Sequence, residues 1–172
     1  MVNYTVNREA LRVIRRAELE ELPLLYEICR KARDYMVKTG NPTQWGPNYP
    51  GVYLQEDIER ERLYVLTDGR DRPHALFAFV LGEEPSYRVI RGAWLNDKPY
   101  GTIHRIASDG EIKGVFIQTL AFCRAICPDI RADTHENNGT MRHLLEKSGF
   151  TQCGYINLDK QEGDTLRVAY QL

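Results

Sequence analysis

No apolar run in these 172 residues is long enough to cross a bilayer. The longest, such as residues 75–81, are strand-sized, against the roughly 20 residues that a membrane helix needs. An excess of one charge is also missing. With 23 lysines and arginines against 24 aspartates and glutamates, the formal net charge is −1, so electrostatics give no case for a nucleic acid or an anionic membrane as partner. Cysteine is scarce: of Cys29, Cys123, Cys127 and Cys153, only Cys123 and Cys127 lie close together. Four residues apart on one helix face is neither a zinc-ligand nor a redox spacing, so free thiols in a reducing cytosol are expected. Residues 1–10 are polar and lack the apolar core of a signal peptide, which fits a cytoplasmic protein. No Gly-x-Ser-x-Gly occurs and no cysteine has a motif-like histidine partner, so a serine or cysteine nucleophile has no support. Asp133 and His135 share a strand face, yet no third or fourth ligand stands at a diagnostic spacing, and no metal is expected. Without a repeat, low-complexity tract or linker, residues 1–172 read as a single domain.

What is present alternates between strand and helix patterns. Residues 100–108 alternate as a strand does, Asp109-Gly110-Glu111 makes a tight polar turn, and Ile112 opens an amphipathic helix. Its apolar residues, among them Val115, Phe116, Leu120 and Cys123, recur at helical spacing until Pro128 ends it. A strand that runs through a glycine-containing turn into a helix start points several unpaired N–H groups at one spot. The helix dipole adds positive potential there, so the turn is a candidate anion site.

Upstream, residues 11–15 read as a strand and residues 18–38 as a helix with one buried face, stopped by Thr39-Gly40-Asn41-Pro42. In the loop of residues 44–50, Trp45 and Tyr49 are costly to expose; they either close over the core or line a ligand site. Residues 54–60 suit a short helix, and residues 63–67 and 74–82 an antiparallel hairpin. Residues 83–99 are an irregular excursion. Downstream, residues 130–135 read as a strand, and Asn137 or Asn138 caps a helix that ends at Ser148-Gly149. Residues 150–158 and 165–172 form a terminal hairpin, whose edge leaves a homodimer open. This order implies an α+β layered fold with a mixed sheet.

The stretch Arg131-Ala132-Asp133-Thr134-His135-Glu136-Asn137-Asn138 continues through Met141-Arg142-His143-Leu144-Leu145-Glu146-Lys147-Ser148-Gly149-Phe150. It resembles the second cofactor motif of the GNAT superfamily of acyl-CoA-dependent N-acyltransferases. There an asparagine opens a helix, and Leu-(Tyr)-Glu-Lys-x-Gly-Phe leads into the next strand. Asn138, Leu144, Glu146, Lys147, Gly149 and Phe150 stand at those offsets. The resemblance covers essentially the whole chain, including Gln44-Trp45, Glu84-Pro85-Ser86-Tyr87 and His104-Arg105-Ile106-Ala107-Ser108, and is with small GNAT proteins of undefined substrate. It implies a GNAT-like α+β fold: a mixed, mostly antiparallel twisted sheet of about seven strands with helices on both faces. A V-shaped split is expected between the fourth and fifth strands, residues 100–108 and 130–135.

The resemblance also implies acetyl-CoA as the acyl-donor substrate. The first cofactor motif, which cradles the pyrophosphate, corresponds to Gly110-Glu111-Ile112-Lys113-Gly114-Val115-Phe116. Gly114 lets backbone approach a phosphate and Lys113 brings positive charge, while Phe116 stands where a small residue is usual. Strand backbone at Ile106, Ala107 and Ser108 would pair with the pantetheine amides as an added strand does. Asn138 would hydrogen-bond the same arm from the other side.

Acyl transfer from a thioester to an amine needs the amine neutral, the carbonyl polarised and the thiolate accepted. A primary amine with a pKa of roughly 10 is mostly protonated at neutral pH, so a positioned base, worth roughly 10²–10⁴ in rate, is useful. The resemblance places an acidic residue on the fourth strand in that role, and His104 stands at that place. Glu84 is the alternative base, and a histidine held in a polar cluster with Arg105 or Glu83 and Glu84 is the structural alternative. A backbone N–H near Ile106 would polarise the carbonyl. The family's acid is a tyrosine just before Glu-Lys, where this chain has Leu145. Either the thiolate leaves without a protein acid, or Tyr155 or Cys153 substitutes. Gln44, Trp45, Tyr49, Tyr87 and Trp94 are candidate walls for the acceptor, a small-molecule or peptide amine, with Glu83 or Glu84 attracting its charge. Leu145 and Phe116 also admit a different class, a GNAT-fold module that binds acyl-CoA without turnover.

Overall fold

The computed structural model describes residues 12–159 and 164–172. The readings made on residues 1–11, and on residues 160–163 of the last turn, lie outside the described residues. One sheet holds eight strands: β1 (Val13–Arg16), β2 (Leu63–Thr67), β3 (Pro73–Leu81), β4 (Arg91–Gly92), β5 (Gly101–Ser108), β6 (Ile130–Thr134), β7 (Thr151–Asn157) and β8 (Leu166–Gln171). Their order across the sheet is β1-β2-β3-β5-β6-β8-β7-β4. The eighth strand, beyond the expected seven, is β4. Two residues long, it carries no periodicity for a sequence to display.

Four α-helices accompany the sheet: α1 (Leu22–Lys38), α2 (Gly51–Glu59), α3 (Val115–Ile126) and α4 (Gly139–Lys147). Pro23 falls in the first turn of α1, where its missing N–H has no intrahelical partner to lose. The α3 helix begins at Val115, not at Ile112 as its spacing suggests. Gly114 adopts a left-handed φ of 73° at the N-cap, a geometry that holds residues 112–114 outside the helix. At α4 the cap is Asn138, whose side chain accepts from the Met141 N–H. None of the helices formed by the described residues is long and apolar enough to cross a membrane.

Strand alternation divides the core. Leu76 and Ala78 of β3 pack with Val65, Ala107, Leu25, Ile28 and Leu54 under α1 and α2. Phe77 and Phe79, one residue out of phase, pack with Ile103, Ala132 and Val168 under α3 and α4. Both faces of β3 are therefore covered, which explains its near-continuous apolar run. A third, smaller cluster of Tyr87, Ile156 and Ala169 fills the space beneath the excursion.

Two departures from regular pairing mark the middle of the sheet. Among the described residues, the only parallel neighbours, β5 and β6, pair through Gly101–Ile130, Thr102–Arg131 and Ile103–Ala132 and no further. Opposite β3 the register shifts, because Ala107 faces Leu76 while His104 faces Ala78. Two residues of β5, Arg105 and Ile106, thus stand against Phe77 alone. This is a β-bulge, and it bends the strand with Arg105 at a left-handed φ of 55°.

The outer strand of the terminal hairpin is covered over part of its length. Strand β8 is internal, and β4 covers β7 at Gly154 and Tyr155. The two backbones meet through glycine: a Cβ on Gly92 would lie 2.1 Å from the Cys153 carbonyl oxygen, and one on Gly154 would lie 2.2 Å from that of Arg91.

Candidate active site

The parting of β5 from β6 opens into a cavity of about 590 Å³. Its walls are the bulged half of β5, the end of β6, the first turn of α3, one side of α4, the C-terminal half of α1 and the loop before α2. Because strand side chains alternate, the cavity has two chemically different sides.

On the α1–α2 side, His104 Nε2 stands 3.0 Å from Glu84 Oε2. The two residues read as alternative bases form one hydrogen-bonded pair. Burial raises the Glu84 carboxyl, but the hydrogen bond and charge of His104, with the Ser86 N–H, outweigh it and bring it down to about 2. Glu84 is therefore a carboxylate at neutral pH and accepts from His104 Nε2–H. The other ring nitrogen, Nδ1, lies 4.0 Å from Asp133 Oδ2, beyond direct hydrogen-bond reach. Asp133 accepts from the Tyr87 hydroxyl at 2.8 Å, and its other oxygen is 3.8 Å from Nε of Arg167, a residue only 2% exposed. Burial, then the Asp133 charge, push the Tyr87 phenol well above its ordinary value, so it remains a neutral donor.

A second polar cluster fixes the bulge. The fully buried Asp57 carboxylate accepts from Arg105 Nε at 2.7 Å, Arg105 Nη2 at 3.0 Å and Arg62 Nε at 2.6 Å. The Arg105 guanidinium also lies over the Tyr53 ring. Helix α2 is thereby tied to the one stretch of β5 that departs from regular pairing.

The opposite side is built by α3 and α4. In the turn before α3, Ser108 Oγ accepts from the Gly110 N–H and Asp109 Oδ1 from the Glu111 N–H. Those two donors are occupied by the turn itself, which leaves the first-turn N–H groups of α3 without an intrahelical partner. Arg12 donates to the Lys113 carbonyl and brings a cation to the turn that no sequence pattern marked. Phe116 packs in the α3–α4 core near Phe150 and also lines the cavity. Asn138 is engaged at both ends: Oδ1 caps α4, and Nδ2 donates to Gln44 Oε1 at 2.9 Å. Leu145, fully buried, contributes no hydroxyl.

Of the residues singled out from sequence, Gln44, Trp45, Glu84, His104, Ile106, Ala107, Ser108, Gly110, Val115 and Asn138 line the cavity. Trp45 does so while packed in the α1–α2 core. Tyr87, Trp94, Lys113, Gly114 and Tyr155 are not among the lining residues. Tyr87 stands behind His104 on Asp133. Trp94 stacks on the Arg131 guanidinium with its indole N–H on the Tyr87 carbonyl. Tyr155 lies in β7 under Arg91 and packs against the α3–α4 core. Lys113 offers its carbonyl to Arg12 and Gln118. Asp133 and Arg167 were missed as site residues; the available signal was a charged residue on a strand that is buried along most of its length. Among the described residues, no group of three or more potential ligands could hold a metal ion.

A mixed sheet that parts at its one parallel pair, with a cavity through the parting, is the class of fold the resemblance implied. Solved structures agree. An acetyltransferase of the GNAT family from Streptococcus agalactiae is 33% identical over 93% of this chain and 94% of its own, with a TM-score of 0.78. A GNAT-family acetyltransferase from Listeria monocytogenes has a TM-score of 0.68 at 16% identity, covering 94% of both chains. RimJ from Mycobacterium smegmatis, determined in complex with CoA-disulfide, has a TM-score of 0.58 at 11% identity over 96% of this chain and 83% of its own. The last two likenesses show the fold alone. No family model and no curated protein sequence matches the chain. On the S. agalactiae relative, the chain belongs to the GNAT family of acetyltransferases.

Proposed function

We propose that the protein moves an acyl group, acetyl in the simplest case, from acetyl-CoA directly to the primary amine of a small molecule or peptide. The observation that carries this reading is the parted β5–β6 pair with the His104–Glu84 pair set on one side of it. The thioester arm runs through the parting, with its amides against the β5 backbone and its phosphates at the start of α3. The amine arrives from the α1–α2 side, drawn by the Glu84 and Asp133 carboxylates. Glu84 holds His104 through Nε2–H, so Nδ1 takes the amine proton directly or through one water. A backbone N–H of the bulge at Ile106 polarises the thioester carbonyl.

The test is a thiol-release assay with acetyl-CoA and a panel of amines, run beside a thermal-shift titration with acetyl-CoA. Turnover with at least one amine supports the reading. A thermal shift without turnover on a broad panel supports instead an acyl-CoA-binding module, the alternative favoured by Leu145 at the tyrosine position. No shift and no turnover would remove both.

A further inference from the structure

Direct transfer leaves one requirement that His104 and Glu84 do not meet. As the new C–N bond forms and the C–S bond breaks, the bonding electron pair leaves on sulfur, and a thiolate develops inside the cavity. The family's tyrosine is Leu145 here, and Tyr155 does not reach the cavity. Some other donor must face the sulfur, or the thiolate forms without one.

Buried polar atoms narrow the choice. Among the described residues, eight buried side-chain nitrogen or oxygen atoms lack a hydrogen-bond partner. Only one of them, Thr134 Oγ1, belongs to a residue that lines the cavity. Thr134 is fully buried at the end of β6, beyond the last residue that pairs with β5. A buried hydroxyl without a partner is costly, and one that lies beside a cavity calls for an explanation. Its side is also informative. Thr134 is opposite Val168 and Ala132 is opposite Tyr170 in the β6–β8 register, so Thr134 shares the face of the α3–α4 core, where Leu145 also lies. Asp133 and His104 project from the other face. The base pair and the hydroxyl therefore flank the parting from opposite sides, as attacking amine and departing sulfur would.

We infer that the Thr134 hydroxyl is the hydrogen-bond donor to the departing CoA thiolate, the catalytic function that Leu145 cannot supply. This rests on the acyl-CoA reading above. Thr134 lends a hydrogen bond and does not surrender its proton; the amine proton leaves through His104, and the thiolate takes a proton from solvent after release. The donor works hardest as negative charge builds on sulfur, so it favours the transition state over the bound thioester.

The experiment compares wild type, Thr134→Val and Thr134→Ser by calorimetric titration with CoA and with desulfo-CoA between pH 7 and pH 10. In wild type, CoA binding tightens relative to desulfo-CoA as the thiol ionises. Thr134→Val is expected to lose roughly 10- to 100-fold of that preference at high pH, with desulfo-CoA binding unchanged and Thr134→Ser close to wild type. Under turnover, kcat of Thr134→Val falls by a similar factor while KM for acetyl-CoA holds. The valine variant should melt no lower than wild type without ligand, since it removes a partnerless hydroxyl at nearly constant volume. An unchanged CoA preference in Thr134→Val overturns the inference and leaves the acyl-CoA reading standing. If wild type binds neither CoA nor desulfo-CoA, the acyl-CoA reading itself fails.

Discussion

His104 Nδ1 and Asp133 Oδ2 face each other at 4.0 Å, one residue beyond the last paired residues of β5 and β6. Within the sheet proper such a pair would be locked by ladder hydrogen bonds on both strands. Here the strands have already separated, and the side chains border open space.

If His104 Nδ1 takes the amine proton, His104→Gln lowers kcat/KM for the amine by roughly 10²–10⁴. Glu84→Gln keeps the ring in place and costs less. Steady-state thiol release between pH 6 and pH 9 measures both. Undiminished turnover of His104→Gln across that range would move the base elsewhere.

Acid stability reports on the same pair. The Glu84 carboxyl is depressed from 4.5 to about 2 in the folded protein, so its stabilisation is complete above about 4.5 and lost as pH falls towards 2. Urea unfolding at several pH values in that window should show a shallower pH slope for Glu84→Gln than for wild type. Equal slopes would mean that the histidine does not hold the carboxylate.

Asp57→Ala leaves two arginines around an emptied buried site, with Arg105 in the bulge itself. Breaking such a buried cluster costs about 3–5 kcal/mol, read from chemical denaturation. The loss should be matched by weaker acetyl-CoA binding, because the bulge forms the cavity margin. A variant of wild-type stability would show that the ion cluster contributes nothing net.

Phe116→Ala separates packing from obstruction. The ring packs in the core near Phe150, so its removal should destabilise the protein by about 3–5 kcal/mol without tightening CoA. A gain in CoA affinity would mean that the ring obstructs the phosphates.

How much was legible in advance depended on sequence distance. The α4 motif fixed its own cap and the glycine that ends the helix, because Asn138 and Met141, or Leu145 and Phe150, interact within one turn. The apolar strands declared both their faces. His104 and Glu84, 20 positions apart, were read as alternative bases, and their bond matches the other reading, a histidine held in a polar cluster with Arg105 or the Glu83–Glu84 pair. Asp57 with Arg105, and Tyr87 with Asp133, are 48 and 46 residues apart and leave no local pattern. Trp94, read as a cavity wall, and Tyr155, read as a substitute acid, have their rings against the Arg131 and Arg91 guanidiniums, contacts that leave no local sequence pattern either.

The glycine contact between β4 and β7 has a reach that its size conceals. The segment leaving Glu84 is clasped to the sheet eight residues later at Gly92, where neither backbone has room for a methyl group. Alanine at Gly92 or Gly154, far from the substrates, would prise that clasp apart and let the carboxylate drift from its histidine. The chemistry of the cleft is in this way hostage to two positions that carry no side chain at all.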